Sequence, residues 1–255
     1  MAQPRVSLML QARRRCGTMG QMSTLRTDRV ACADAGDMDI HIWTPDQPPK
    51  AAVLLIQEIF GVGPYIRAVA ERLAATGYVV GAPDVFWRFA PNWEAGHDPA
   101  GLGASFEKVQ QLDFPTAVGD CSAALAHLAA QPGIEKAPAV MGFCLGGTLA
   151  WAVAANAEPS VCVSYYGSGV PDMIGMIDQV TCPTLFHFGN EDAYIPNEGV
   201  DAIGAAIAGR EGFVLNVEQA GHAFDNHESE MFYNESAAKA AWAKTMAFLS
   251  LYLPA

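Results

Sequence analysis

Gly142-Phe143-Cys144-Leu145-Gly146-Gly147 lies between an apolar, strand-like run (residues 137–142) and a small-residue, helix-like run (residues 146–156). Cysteine stands at the centre of a strand–turn–helix with glycine two places before it and two after it, the G-x-S-x-G spacing of a nucleophile elbow. The spacing has a steric reason: the turn is so tight that a Cβ at either flanking position would collide with neighbouring backbone. Such a turn pushes the Cys144 side chain out at the top of the sheet and sets it at the positive end of the following helix, where a thiolate is stabilised. The Leu145 N–H points to where an oxyanion would form. Most cysteines are inert buried thiols, and that reading is kept for Cys16, Cys32, Cys121, Cys162 and Cys182.

A nucleophile needs a base, and the base needs an orienting group. Downstream, a strand-like run (residues 184–188) ends in Gly189-Asn190-Glu191-Asp192, and another (residues 213–217) is followed by Gly221-His222-Ala223-Phe224. The order nucleophile, acid, histidine, each after a different strand, completes a triad. His222 takes the thiol proton and later protonates the leaving group or activates water, while Asp192 fixes its tautomer. Glu191 competes for that second role; Asp192 is preferred because its neighbour better caps the turn. His41, His127 and His187 read as structural histidines, whereas His97 and His227 stand where a ligand could be touched.

Outward from the elbow, strand-like and helix-like periods alternate. Residues 39–43, 51–56, 78–82 and 161–166 read as further strands, and residues 63–76, 116–130, 198–208 and 236–251 as helices. That alternation predicts a mostly parallel sheet with helices on both faces, a single α/β domain over residues 30–255. Residues 83–115 form a long irregular stretch with a short helical pattern at 106–112, the kind of segment that serves as a lid or binding loop. Chemistry in such sheets sits beyond the carboxyl ends of the strands, where Glu58, Asp84, Cys144, Tyr166, Asp192 and His222 fall.

Composition agrees. Of 255 residues, 51% are hydrophobic and 16% charged, enough to bury a proper core. The net charge of −12 argues against nucleic acid, and no apolar run approaches the ~20 residues that span a bilayer. The cysteines show no metal-ligand spacing and nothing resembles a phosphate-binding loop, so no metal or cofactor is expected. A long apolar chain does not need disulfides, and a reducing, cytoplasmic setting is expected, with the protein a monomer or small homo-oligomer. Residues 1–29 hold six arginines and one acid, a basic leader outside the mature fold; the remainder carries 9 Lys+Arg against 26 Asp+Glu, a net −17.

Five motifs in register carry a family resemblance: Q-E-I-F-G (residues 57–61), P-D-V-F-W-R (83–88), G-F-C-L-G-G (142–147), Y-Y-G (165–167) and A-G-H-A-F (220–224). Over residues 30–252 the chain resembles the dienelactone hydrolase (carboxymethylenebutenolidase) family of α/β hydrolases. The resemblance implies that Cys144 is the nucleophile, Asp192 and His222 its partners, and Glu58 the additional glutamate that accepts the thiol proton as the thiolate turns toward histidine. It also implies Ile59 N–H as second oxyanion donor beside Leu145, and Arg88 as the cation for a substrate carboxylate. Trp87, Phe89, Tyr166 and Phe224 complete the expected substrate surroundings.

One departure stands out. The family pattern has a serine after the catalytic histidine and an arginine four places after it, where this chain has Ala223 and Asn226. Losing one charge-assisted pair forfeits ~1.5–3 kcal/mol. The substrate is then either less anionic and held by the aromatic loop of Trp87, Phe89 and Trp93, or its carboxylate rests on Arg88 alone. The expected activity is hydrolysis of enol-lactones or small activated esters through an acyl-thioester on Cys144. A ligand-binding or redox-sensing protein with Cys144 as an oxidisable thiol is the alternative.

Overall fold

A computed structural model describes residues 23–33 and 36–255. Its eight strands are β1 (Thr24–Cys32), β2 (Gly36–Thr44), β3 (Ala52–Ile56), β4 (Val79–Pro83), β5 (Ala139–Phe143), β6 (Cys162–Tyr165), β7 (Thr184–Gly189) and β8 (Phe213–Glu218). They form one sheet in the order β1-β2-β4-β3-β5-β6-β7-β8. β2 is antiparallel to both its neighbours, and every pair from β4 to β8 is parallel. Residues of β3, β4, β5, β6 and β7 are buried throughout, which is why these strands read as continuous apolar runs rather than alternating ones.

The α-helices among the described residues are α1 (Pro64–Ala74), α2 (Pro99–Val109), α3 (Phe114–Ala129), α4 (Leu145–Asn156), α5 (Asn197–Ile207) and α6 (Glu235–Tyr252). Adjacent residues of β6 show that they form two layers. The Ser164 hydroxyl donates to the Gly147 carbonyl of α4 at 2.9 Å, and the Tyr165 hydroxyl meets Thr245 Oγ1 of α6 at 2.6 Å. Successive strand side chains point to opposite faces, so α4 and α6 cover opposite sides of the sheet. α3 packs with α4 on one side, and α1 joins α6 on the other through the Arg72 guanidinium, 3.7 Å from the Trp242 ring centroid.

Two boundaries differ from expectation. β1 begins at Thr24, six residues before the expected start of the domain at 30, and Arg26 and Arg29 belong to it. Arg26 bonds Thr44 Oγ1 (3.0 Å) and Gln131 Oε1 (2.6 Å), and Arg29 pairs with Asp39 at 3.2 Å. The rest of the leader, residues 1–22, lies outside the described residues. From residue 24 onward the chain carries 11 Lys+Arg against 27 Asp+Glu, a net −16. The second difference is α2, which begins at Pro99 inside the stretch read as irregular, capped by Asp98 accepting the Gly101 N–H at 2.7 Å.

The strand order fixes the site. The chain leaves β3 toward β4 on one side, while β5 lies against β3 on the other, so a crevice opens beyond the carboxyl ends of β3 and β5. No helix of the described residues is long and apolar enough to cross a membrane.

Candidate active site

The elbow between β5 and α4 holds Cys144 at φ 54°, ψ −115°, a conformation that L residues rarely adopt and that persists only where the surroundings impose it. A Cβ on Gly142 would lie 2.0 Å from the Gly146 carbonyl oxygen, and one on Gly146 would lie 2.2 Å from the Ile56 oxygen at the end of β3. The missing side chains let the start of α4 seat against β3. The Cys144 N–H bonds the Tyr165 carbonyl at 3.0 Å. The thiol is thereby fixed at the mouth of the crevice.

His222, beyond β8, brings Nε2 to 3.2 Å from Cys144 Sγ and turns Nδ1 toward Asp192 Oδ2 at 2.7 Å. The Asp192 side chain has no exposed surface, and its other oxygen accepts the N–H groups of Tyr194 (2.8 Å) and Ile195 (3.1 Å). Asp192 therefore both shapes the turn after β7 and orients the histidine, while Glu191 is exposed. Burial opposes the imidazolium, but the charges of Cys144 and Asp192 on its two sides outweigh it and raise the His222 pKa to about 10.

Glu58, two residues past β3, is 1% exposed. Its Oε2 accepts the Asn226 side-chain amide at 2.7 Å, and Oε1 is buried without a partner. Burial pushes this carboxyl up to about 8; Asp225 adds to the rise, and His222 and Asn226 oppose it. His97 Nε2 stands 3.9 Å from Glu58 Oε2. Behind it, Asp225 accepts the Tyr65 hydroxyl at 2.8 Å, and burial raises that carboxyl to about 6. Among the described residues, the N–H groups of Ile59 and Leu145 meet no protein acceptor, which leaves both donors available to a developing oxyanion.

A cleft partly open to solvent covers the nucleophile. Glu58, Ile59, Cys144 and His222 form its reactive side, and Phe60, Leu102, Phe106, Tyr194 and Phe232 face them. Sequence reasoning names none of Phe60, Leu102, Phe106, Tyr194 and Phe232 as lining: Phe60 lies in the Q-E-I-F-G motif and Phe106 in the helical pattern at 106–112, while Asn226 stands out there only as a departure from the family pattern and not as the partner of Glu58.

None of the expected substrate contacts Arg88, Trp87, Phe89, Tyr166 and Phe224 lines this cavity. The reason for Arg88 is a stronger partner. Its Nε and Nη2 each reach the Asp120 carboxylate at 2.8 Å, and its guanidinium lies 4.4 Å from the Trp87 ring centroid, while Trp87 Nε1 donates to the same carboxylate at 2.9 Å. Phe89 packs on Phe86. Tyr166 and Phe224 are fully buried and pack on one another, with the Tyr166 ring 5.3 Å from that of His222, so they support the base from behind. His41, His127 and His187 are bonded within the fold, to Thr27, Asp28 and Thr245 respectively. His227 packs edge-on against Tyr65.

The model of the dienelactone hydrolase family matches residues 38–253. The chain belongs to the dienelactone hydrolase family. It is 32% identical to a carboxymethylenebutenolidase of a Pseudomonas species, over 86% of this chain and 92% of that one. A carboxymethylenebutenolidase of Cupriavidus pinatubonensis is 29% identical, over 87% and 95%. A crystal structure from Klebsiella pneumoniae, named as a candidate dienelactone hydrolase, superposes with a TM-score of 0.77 at 25% identity, covering 90% of this chain and all of that one. This family member is thus a hydrolase with the α/β-hydrolase fold. The Asn226 amide holds Glu58.

Proposed function

We propose that this dienelactone hydrolase family member cleaves small carboxylic esters or lactones through an acyl-thioester on Cys144. The observation that carries the reading is the continuous line from Asp192 through His222 to Cys144 Sγ, at 2.7 and 3.2 Å, on the reactive side of a largely apolar cavity. The Cys144 thiolate attacks the substrate carbonyl carbon, forming a C–S bond, and the carbonyl oxygen takes the electron pair as an oxyanion held by the Leu145 and Ile59 N–H groups. When the oxyanion collapses, the C–O bond to the leaving oxygen breaks and His222 gives that oxygen a proton. Water then attacks the thioester, His222 takes its proton, and the C–S bond breaks to release the acid and restore the thiolate.

His222 takes the thiol proton as Sγ turns onto it and later gives that proton to the leaving oxygen. Burial raises the Glu58 carboxyl to about 8, so it is already protonated at neutral pH and no second negative charge faces the oxyanion. A thiol sensor would have no use for the Asp192 and His222 pair. Cys32, Cys121, Cys162 and Cys182 are free thiols, in keeping with a reducing, cytoplasmic setting. Cys144→Ala should abolish turnover of p-nitrophenyl acetate while leaving the circular dichroism spectrum unchanged; retained turnover contradicts the assignment.

A further inference from the structure

We infer that the cavity over Cys144 takes an ester or lactone whose body is uncharged and apolar, and that it discriminates against substrates bearing a carboxylate. The inference rests on the hydrolase reading above and adds the substrate class to it.

The lining is the first ground. Besides the reactive groups and the hydroxyl of Ser168, the lining is Phe60, Leu102, Phe106, Tyr194, Ala223 and Phe232, and among the described residues no Lys or Arg borders the cavity. A carboxylate brought there would shed its hydration with no cation to replace it. The second ground is that both sequence positions expected to receive a carboxylate are otherwise engaged. Asn226, where the resemblance calls for an arginine, is a neutral amide that donates to Glu58 at 2.7 Å. Arg88 lies on Asp120 through two 2.8 Å bonds, away from the cavity.

The approach is the third ground. His97 packs on Phe60 with ring centroids 4.2 Å apart, and beyond it a shallow cleft between the start of α2 and the segment after His222 is bordered by Asp98, Glu228 and Glu230. An anion reaching the cavity from this side passes three carboxylates. The rim also carries exposed apolar side chains: Phe106 and Tyr194 at the cavity, and Met231 and Tyr233 on either side of Phe232. A neutral, apolar substrate would cover this surface and gain by leaving water. α2 supplies Leu102 and Phe106 to that surface, which gives the segment after β4 its use.

The test compares p-nitrophenyl hydrogen adipate with its methyl ester, two esters of one acyl chain that differ in charge, each rate referred to hydroxide hydrolysis. The neutral ester should have the higher kcat/KM by at least about tenfold. Phe106→Lys, which adds a cation at a partly exposed lining position, should narrow that ratio. If the hydrogen adipate matches or exceeds its methyl ester, or if Phe106→Lys leaves the ratio unchanged, the substrate class is overturned while the hydrolase reading stands. If neither ester acylates Cys144, the hydrolase reading itself falls, and this inference with it.

Discussion

Glu58 illustrates what single residues decide in this site. Burial raises its folded-state carboxyl from the ordinary 4.5 to about 8, and its partner Asn226 is neutral. Between those two pH values the folded chain keeps a proton that the unfolded chain has released, so stability drains away as pH rises from about 4.5 to about 8, and the full cost stands above 8. Glu58→Gln removes that cost. Urea unfolding should find the variant more stable than the parent by roughly 3–5 kcal/mol at pH 9 and indistinguishable at pH 4; an equal change at both pH values contradicts the role of ionisation. Turnover by the parent should fall as pH rises through about 8, when the Glu58 charge faces the oxyanion, and the variant should lack that step. The triad residues were legible because each sits in a short local motif whose order carries the chemistry. Partners distant in sequence were not: Arg88 meets Asp120 32 positions away, and Asn226 meets Glu58 168 positions away. A motif resemblance therefore placed Arg88 at the substrate, where packing placed it on a carboxylate.

At the scale of elements, the elbow depends on the absence of side chains. A Cβ on Gly146 would meet the Ile56 oxygen at 2.2 Å and the Gln57 oxygen at 2.5 Å, both backbone atoms at the end of β3 that cannot turn aside. Gly146→Ala should therefore cost about 1–3 kcal/mol or more in urea unfolding and displace Cys144 from its donors. Gly103→Ala in α2, where nothing lies within 4 Å, should instead be neutral or stabilise by ~0.5–1 kcal/mol. Equal losses at the two positions would remove the steric explanation of the elbow. The parallel strands were legible because burial on both faces demands unbroken apolar runs. β1 was not: as an edge strand paired only with β2, its sequence TLRTDRVAC is mostly exposed and polar, which reads like a leader. α2 was hidden by Gly101 and Gly103 and found its start only through the Asp98 cap.

For the whole molecule, charge is the property that reaches the reaction. The body from residue 24 carries a net −16, and the cleft beside the cavity adds Asp98, Glu228 and Glu230 locally. Raising ionic strength from about 0.01 M to about 0.1 M shortens the Debye length from ~30 Å to ~10 Å. The kcat/KM of p-nitrophenyl hydrogen adipate should rise over that range while that of its methyl ester stays level; a fall for the anion contradicts an acidic approach. The mostly parallel sheet and its covered faces followed from sequence periodicity, and the placing of nucleophile, acid and histidine beyond separate strands from the short motifs at the strand ends. The shape and polarity of the cavity did not, because they arise where Phe60, α2 and the segment around Phe232 come together from three separate parts of the chain. The central claim is that Cys144 carries the acyl group. Acid quench of the enzyme during turnover of p-nitrophenyl acetate, followed by mass spectrometry of the peptides, tests it most directly. One acetyl group on the peptide containing Cys144, lost with time as acetate forms, is the predicted result; acetate production with Cys144 unmodified throughout, and undiminished in Cys144→Ala, would contradict it.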